Sequence, residues 1–439
     1  MRPSHVTLLL CFAFLCSHAL GQIRYPLAYP PKLPDGERMV TATGPKLLEP
    51  GPNLRDGVAI AETPPKVDFL YYPGQDYPGN PWSFRAVGLV VDGKYISALC
   101  DHLAPKGTAK LFSFDPQTYK FTLLVDTAKF LRQAGQIPES MNYSPGEVQT
   151  QLHLGSDGWL YYGTTRGSTR VTNDEHGFQG EWVLRTEPAT GKTEVVKAFP
   201  VAKHCILAGV LDPVSMVYYG GTAAGDFRDK TVKFFALDAN TGEVIKEAEK
   251  GFDRYAIFAP DSGCVYWEGS KYDPVTNEIT PCDVPHVRCA TVPTDKGLSY
   301  GVSHHGAELF SFNTRREQTR QLGTAAVASQ EYIASMHIDP SGRYLYYVPG
   351  AHGGATKDGT PVVQYDLKQK RHKVLCYLHE TFKQKCGYYL DGCFCSVLSP
   401  EGDKLYVSWD GWREGQPRGW ESCALTVIHI PESERAVDE

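Results

Sequence analysis

The sequence predicts an all-β fold: a seven-bladed β-propeller of four-stranded antiparallel blades, its ring closed by an N-terminal strand. Three observations predict it. One hairpin pattern recurs seven times, a second strand–turn–strand pattern falls between the copies, and the chain ends one strand short of a complete blade. Gly 42, Pro 31 and Tyr 25 in 439 residues suit a turn-rich β protein.

The hairpin is plainest in QTQLHLGSDGWLYYGTTRGS, Gln149 to Ser168. TQLHLGS alternates polar and apolar, Asp157-Gly158 is a turn dipeptide, and WLYYGTT is aromatic and strand-prone. Its relatives start near Phe84, Lys203, Arg254, Val287, Gln330 and Gly392. The copies are spaced by roughly 35 to 65 residues, a propeller period with loop insertions. Between them, segments such as AKLFSFDPQTYKFTLLVD and VKFFALDANTGEVIKEAE each supply two further strands around a turn. Blade 4 is the weak one, because KYDPVTNEIT leaves little for its third strand. After LYVSWDG only CALTVIHI remains, so VDFLYYP, Val67 to Pro73, is expected to complete the last blade and remove an open edge. The propeller is therefore read as residues 66–439.

Two segments precede it. Residues 1–21 read as a secretory signal: Arg2, an apolar run from Val6 to Cys16, and small residues at Ala19-Leu20-Gly21 before Gln22. Residues 22–65 are Pro-rich and irregular, an extended arm. The expectation is an exported, soluble monomer, secreted or periplasmic, without membrane insertion. Ten cysteines remain after the signal, and disulfides or plain buried thiols are favoured over a metal, since no Cys-x-x-Cys pair is present. A net charge of -6 supplies no basic field for nucleic acid.

In a blade, the loop into the first strand and the loop out of the second open on one side. The entering loops carry Arg85, Gln149 with Gln151, Lys203 with His204, Arg254 with Tyr255, His286 with Arg288, Gln330 with Tyr332, and Cys393 with Cys395. The leaving loops carry Asp101 with His102, Arg166 with Arg170, Asp226, His304 with His305, His352, and Asp410. A channel with only a structural role would be filled by apolar side chains, so this polar rim reads as a ligand site. His153 and His337 fall within inner strands and are expected to be buried blade contacts. His176, His372, His379 and His429 lie on outer strands or loops, where no function is expected.

Arginines and glutamines in a funnel suit a carboxylate or sulfate, and outside the cell an anionic polysaccharide or oligosaccharide is the natural partner. Hydrolysis of a glycoside wants two carboxylates across the bond; only Asp226 and Asp410 offer themselves, with Glu147, Glu181 and Glu331 in reserve. Eliminative cleavage of a uronate wants a cation or amide on the sugar carboxylate and a His or Tyr to move protons. The rim offers His102, His204, Tyr255 and Tyr332 for the protons. It offers Arg85, Gln149, Gln151, Arg166, Arg254, Arg288, Gln330 and His352 for the substrate. The inventory favours a lyase over a hydrolase, and a non-catalytic propeller binding a glycan or a protein is the alternative. No nucleophile elbow, phosphate-cradling loop or His-Glu-x-x-His is present.

With its seven repeats, signal and His/Arg/Tyr/Gln rim, the chain resembles the seven-bladed propeller polysaccharide lyases of the ulvan lyase and oligogalacturonate lyase types. LGSDGWLYYGTTRGSTR, YIASMHIDPSGRYLYYVPGAHGG and SCALTVIHIPESER also resemble exported bacterial propeller proteins of poorly defined activity, over nearly the whole mature chain. The first resemblance implies His204 as base, Tyr255 or Tyr332 as acid, and Arg166, Arg254 or Arg288 as the carboxylate clamp. Oligogalacturonate lyases hold a divalent metal with histidines and a glutamine. Their run of ligand histidines is not reproduced here; His204, His304, His305, His352 and Gln330 are the candidates if a metal is used. Otherwise the sequence requires no cofactor.

Overall fold

The computed structural model describes residues 28–79, 82–103, 106–166, 171–416 and 420–436. Its strands form seven separate sheets of four or five strands, one per repeat, arranged as a β-propeller. Residues 1–21, expected to be a signal, lie outside the described residues, as does Arg170.

Each blade starts at its innermost strand and steps outward. Blade 3 is the most regular: His204–Asp212, Val217–Ala224, Val232–Asp238 and Val244–Ala248 pair in that order, all antiparallel. The blade 2 hairpin turns where the Asp-Gly dipeptide predicts. Gly158 takes φ +80°, which only glycine adopts without strain, and Asp157 Oδ1 accepts the Trp159 amide at 3.1 Å. Blade 4 is the shortest, with strands Ile257–Phe258, Val265–Trp267, Ser270–Asp273 and Glu278–Pro281. The segment that looked too thin for a third strand supplies it because only Glu268-Gly269 is spent on the preceding turn, with Gly269 at φ +67°.

The ring closes as expected. Lys66–Tyr71 pairs antiparallel with Ser422–His429, the third strand of blade 7, in register from Lys66↔His429 to Tyr71↔Ala424. The arm adds more than a tether. Val40–Ala42 pairs with the closing strand, and Ala59–Ile60 runs parallel to the outer strand Arg371–Tyr377 of blade 6. Two blade edges are thereby covered.

The core lies between blades rather than within them. Between blades 3 and 4, Phe234 stacks on Trp267 with ring centroids 5.1 Å apart, beside Tyr219 and Tyr272. Full burial of each such side chain contributes about 1.5–3 kcal/mol, repeated at every blade contact. All ten cysteines among the described residues are free thiols, eight of them buried. Among the described residues no helix is long and apolar enough to cross a membrane.

This wedge packing positions the rim. Glu147 pairs with Thr165, His204 with Ala224, Val287 with Ser303, Ile333 with Pro349 and Trp82 with Asp101. The residues flanking these pairs therefore meet at one end of the channel.

Candidate functional site

Two linked clusters occupy the mouth of the channel. The first centres on Arg85, just after the Trp82–Phe84 strand of blade 1. Its guanidinium lies 4.4 Å from the ring centroid of Phe394 and 4.5 Å from that of Trp420, both in blade 7. Cation–π contacts of this kind are worth about 0.5–2 kcal/mol, more when dry. Arg85 Nε is 4.0 Å from Glu147, whose carboxylate also abuts Nδ1 of His102. Burial, with Arg85 and Arg166 close by, drives the His102 imidazolium far below its ordinary range, so the ring beside Glu147 is neutral. Asp410 sits beneath, fully buried. Its Oδ1 accepts the Phe84 amide at 2.7 Å, and its Oδ2 has no hydrogen-bond partner. Burial raises its pKa to about 7, against the opposing pull of Arg85.

Beside them stands Arg166, half-buried after the Leu160–Thr165 strand. Behind it Glu181 is fully buried, bonded to Tyr143 and to Thr164 Oγ1 at 2.7 Å. Burial lifts Glu181 to about 8, with Arg166 pulling the other way.

The second cluster spans blades 4 to 6 and shares Phe394 with the first. Arg288, buried, lies 5.6 Å from the Phe394 centroid and donates from Nε to the Tyr332 hydroxyl at 2.6 Å. The Tyr332 ring is 4.1 Å from His352 and 5.8 Å from His304. His304 in turn packs 4.7 Å from His286 and 4.6 Å from His305. His286 Nε2 reaches Asp253 at 3.5 Å, and Arg254 is held by the same carboxylate at 2.9 Å. Burial holds both His304 and His352 down at about 4, helped by Arg254 and Arg288 at both and by Arg85 at His352. Two neutral imidazoles thus pack around the Tyr332 ring among cations.

The structure gathers Arg85, His102, Arg166, Arg254, Arg288, His304, Tyr332 and His352 in this arc. It leaves other candidates elsewhere. His204 is buried within blade 3: Nδ1 is 2.9 Å from Thr222 Oγ1, and its charged neighbours are Lys233, Asp229 and Glu247 on outer elements. Tyr255 donates to the Ala290 carbonyl at 2.9 Å and, with Gln151, lines a cavity of about 320 Å³ lower in the channel. Gln149 is half-buried after the Glu147–Val148 strand. Gln330 is bonded to Ser329 at 3.2 Å, and His305 is exposed. His153 and His337 are blade contacts, bonded to the carbonyls of Gly209 at 3.0 Å and Ser396 at 2.6 Å.

Carboxylates fit a hydrolase poorly. Asp226 is exposed and paired with Arg228 at 2.7 Å, Glu331 is exposed beside Arg55, and Asp410 and Glu181 are sealed from solvent. Phe394 and Trp420 are the residues the rim reading overlooked. Phe394 stands between Cys393 and Cys395, both fully buried in the blade, where a bulge interrupts the alternation of faces, so no sequence signal marks it.

A divalent metal finds no ready cradle. Among the described residues no group of three His, Cys, Asp or Glu is placed to hold one. His204 and Gln330 are turned to other partners, and the remaining histidines pack ring against ring.

No protein-family model and no curated protein sequence matches the chain. Solved structures do. An oligogalacturonate lyase in complex with manganese has a TM-score of 0.52 at 13% identity, covering 91% of this chain and 100% of that one. The oligogalacturonate lyase of Vibrio parahaemolyticus has 0.51 at 10%, with the same coverage. A chain of the mitotic checkpoint complex also reaches 0.51 at 10%, covering 86% of this chain and 98% of that one. A non-lyase thus matches as well as the lyases, and at these identities the likeness establishes the propeller fold alone.

Proposed function

We propose that the channel mouth is the active site of a lyase that cleaves a uronate-containing anionic polysaccharide or oligosaccharide by β-elimination. The observation that carries this reading is Tyr332, hydrogen-bonded to the Arg288 guanidinium and flanked by the neutral rings of His304 and His352. The arginines of the arc take the sugar carboxylate, which makes the proton on the adjoining carbon removable. His352 takes that proton, the C–H electron pair becomes the new C=C bond, and the C–O bond β to the carboxylate breaks. Tyr332 protonates the departing oxygen, and Arg288 steadies the charge left on the phenol. Phe394 and Trp420 give the sugar ring an apolar wall. The exported setting expected from the first residues belongs to the same reading.

The test is ultraviolet absorbance of the protein mixed with a panel of uronate polysaccharides, with and without chelator. A rise from an unsaturated uronate product supports the lyase, and the chelator arm decides metal dependence. No rise on any substrate, with one polysaccharide retarding the protein in an affinity gel, replaces the lyase with a glycan-binding propeller. New reducing ends without absorbance replace it with a hydrolase.

A further inference from the structure

A second cleft lies away from the mouth, on the outer half of the contact between blades 5 and 6. Its volume is about 360 Å³. Strand pairing explains its composition. Tyr300 pairs with Ser311 and Ser311 with Arg320, so these three side chains form one row across a single face of blade 5. Blades splay apart as they run outward, and large apolar side chains normally fill the wedge. Here Leu298, Leu322 and Leu367 share the lining with Ser311, Asn313, Gln318 and Arg320, and the gap stays open toward Tyr365 and Lys370 of blade 6.

The charges are one-sided. Arg316, Arg320 and Lys370 line the cleft, and no Asp or Glu does. None of the three forms an ion pair among the described residues, although the chain as a whole carries -6. All three are exposed, while Tyr300 is half-buried and presents a ring to the cleft. Unpaired cations beside a tyrosine face suit a ligand with an anionic group and a flat apolar surface, which a uronate or sulfated sugar ring has.

We propose that this cleft is a second binding site for an anionic sugar chain, separate from the mouth, which holds a polymer on the outside of the propeller. The choice of a sugar over another polyanion rests on the reading of the mouth given above. The cleft and the mouth are therefore tested with separate variants.

The probes are polygalacturonate, alginate and a neutral glucan in affinity gels, with R316Q/R320Q/K370Q for the cleft and R85A/R288A for the mouth. Thermal melts check that each variant folds, and Y300A is a milder cleft variant that leaves the charges in place. The mouth variant should still be retarded by an anionic polymer, the neutral glucan should retard nothing, and the cleft variant should bind the polymer about tenfold more weakly. Added salt should erase the cleft contribution. Wild-type retardation of the cleft variants, loss of all retardation in the mouth variant alone, or no binding of either anionic polymer would each overturn the proposal. Turnover on short oligosaccharides should be unchanged by the cleft variants, so failure here and failure of the lyase reading are distinguishable.

Discussion

The Nε of Arg288 donates to the hydroxyl of Tyr332 across 2.6 Å, joining a blade 5 cation to a blade 6 phenol at the channel mouth. Tyr332→Phe removes that oxygen and keeps the ring against His352. If Tyr332 moves a proton, kcat on the cleaved uronate should fall about 10²–10⁴-fold while affinity, measured by calorimetry, changes little. Equal losses in affinity and turnover would instead make the tyrosine a binding group.

Phe394 supports both arginine clusters, with Arg85 and Arg288 at 4.4 and 5.6 Å from its ring. Phe394→Ala removes a buried ring and leaves two guanidinium groups without their common wall. Stability should drop by about 3–5 kcal/mol, read from chemical denaturation, and binding of an anionic oligosaccharide should weaken in the folded fraction. Phe394→Leu should recover most of the stability and little of the binding, which separates the two roles.

The fold was legible because the hairpin turn chemistry repeats and needs no tertiary context: Asp157-Gly158 marks its blade as clearly as Gly342 and Gly402 mark theirs, at φ +71° and +70°. The ring closure was legible as missing-strand arithmetic. Which end of the channel would be polar followed from strand direction. Which residue of a pair faces the channel did not. Lys203-His204 opens its strand, whereas Cys393-Phe394-Cys395, expected in an entering loop, lies inside the strand Tyr388–Leu398; His204 turns into its blade toward Thr222 while Phe394 turns to the mouth. A bulge between Ile206 and Ala208, and two between Leu390 and Cys395, shift the parity of alternation locally. Bulges leave no reliable mark in a single sequence, so the site's location was readable and its exact membership was not.

Buried titrating groups set the pH profile of stability. His153, His304, His337 and His352 are all held at about 4 by burial. The unfolded imidazoles bind protons near pH 6.5, so the unfolded state takes up more protons as pH falls from about 6.5 to 4, and stability falls with it. Asp410 and Glu181, raised by burial to about 7 and about 8, act in the opposite sense. The folded state keeps protons that the unfolded state loses above about pH 4, so their contribution disappears as pH rises to 7–8. With His102, held lower still by burial, five imidazoles outweigh two carboxyls below about pH 6.5, and above it the carboxyls act alone. Melting temperature should therefore peak near about pH 6.5 and decline on both sides. A melting temperature still climbing from pH 7 to 8 would contradict this, and Glu181→Gln should flatten the alkaline decline.

A buried carboxylate braces the ring closure alongside the strand pairing. Asp68, unexposed in the closing strand, accepts hydrogen bonds from Thr41 at 2.6 Å and Tyr119 at 2.9 Å, and contacts His429 at 2.8 Å and Lys66 at 3.2 Å. These partners come from the arm, blade 1, the third strand of blade 7 and the closing strand itself. The bonds hold its pKa at about 2, outweighing the opposing effect of burial. Asp68→Ala leaves Thr41, Tyr119 and His429 without their shared acceptor and should cost about 3 kcal/mol or more. Because the lost contacts lie at the seam, the N-terminal arm should become accessible to protease before the rest of the ring. Asp68→Asn, which keeps one acceptor oxygen, should fall between the two. If Asp68→Ala melts within about 1 °C of wild type, the seam is held by strand pairing and apolar packing alone, with Phe69 and Leu70 as the residues to test next.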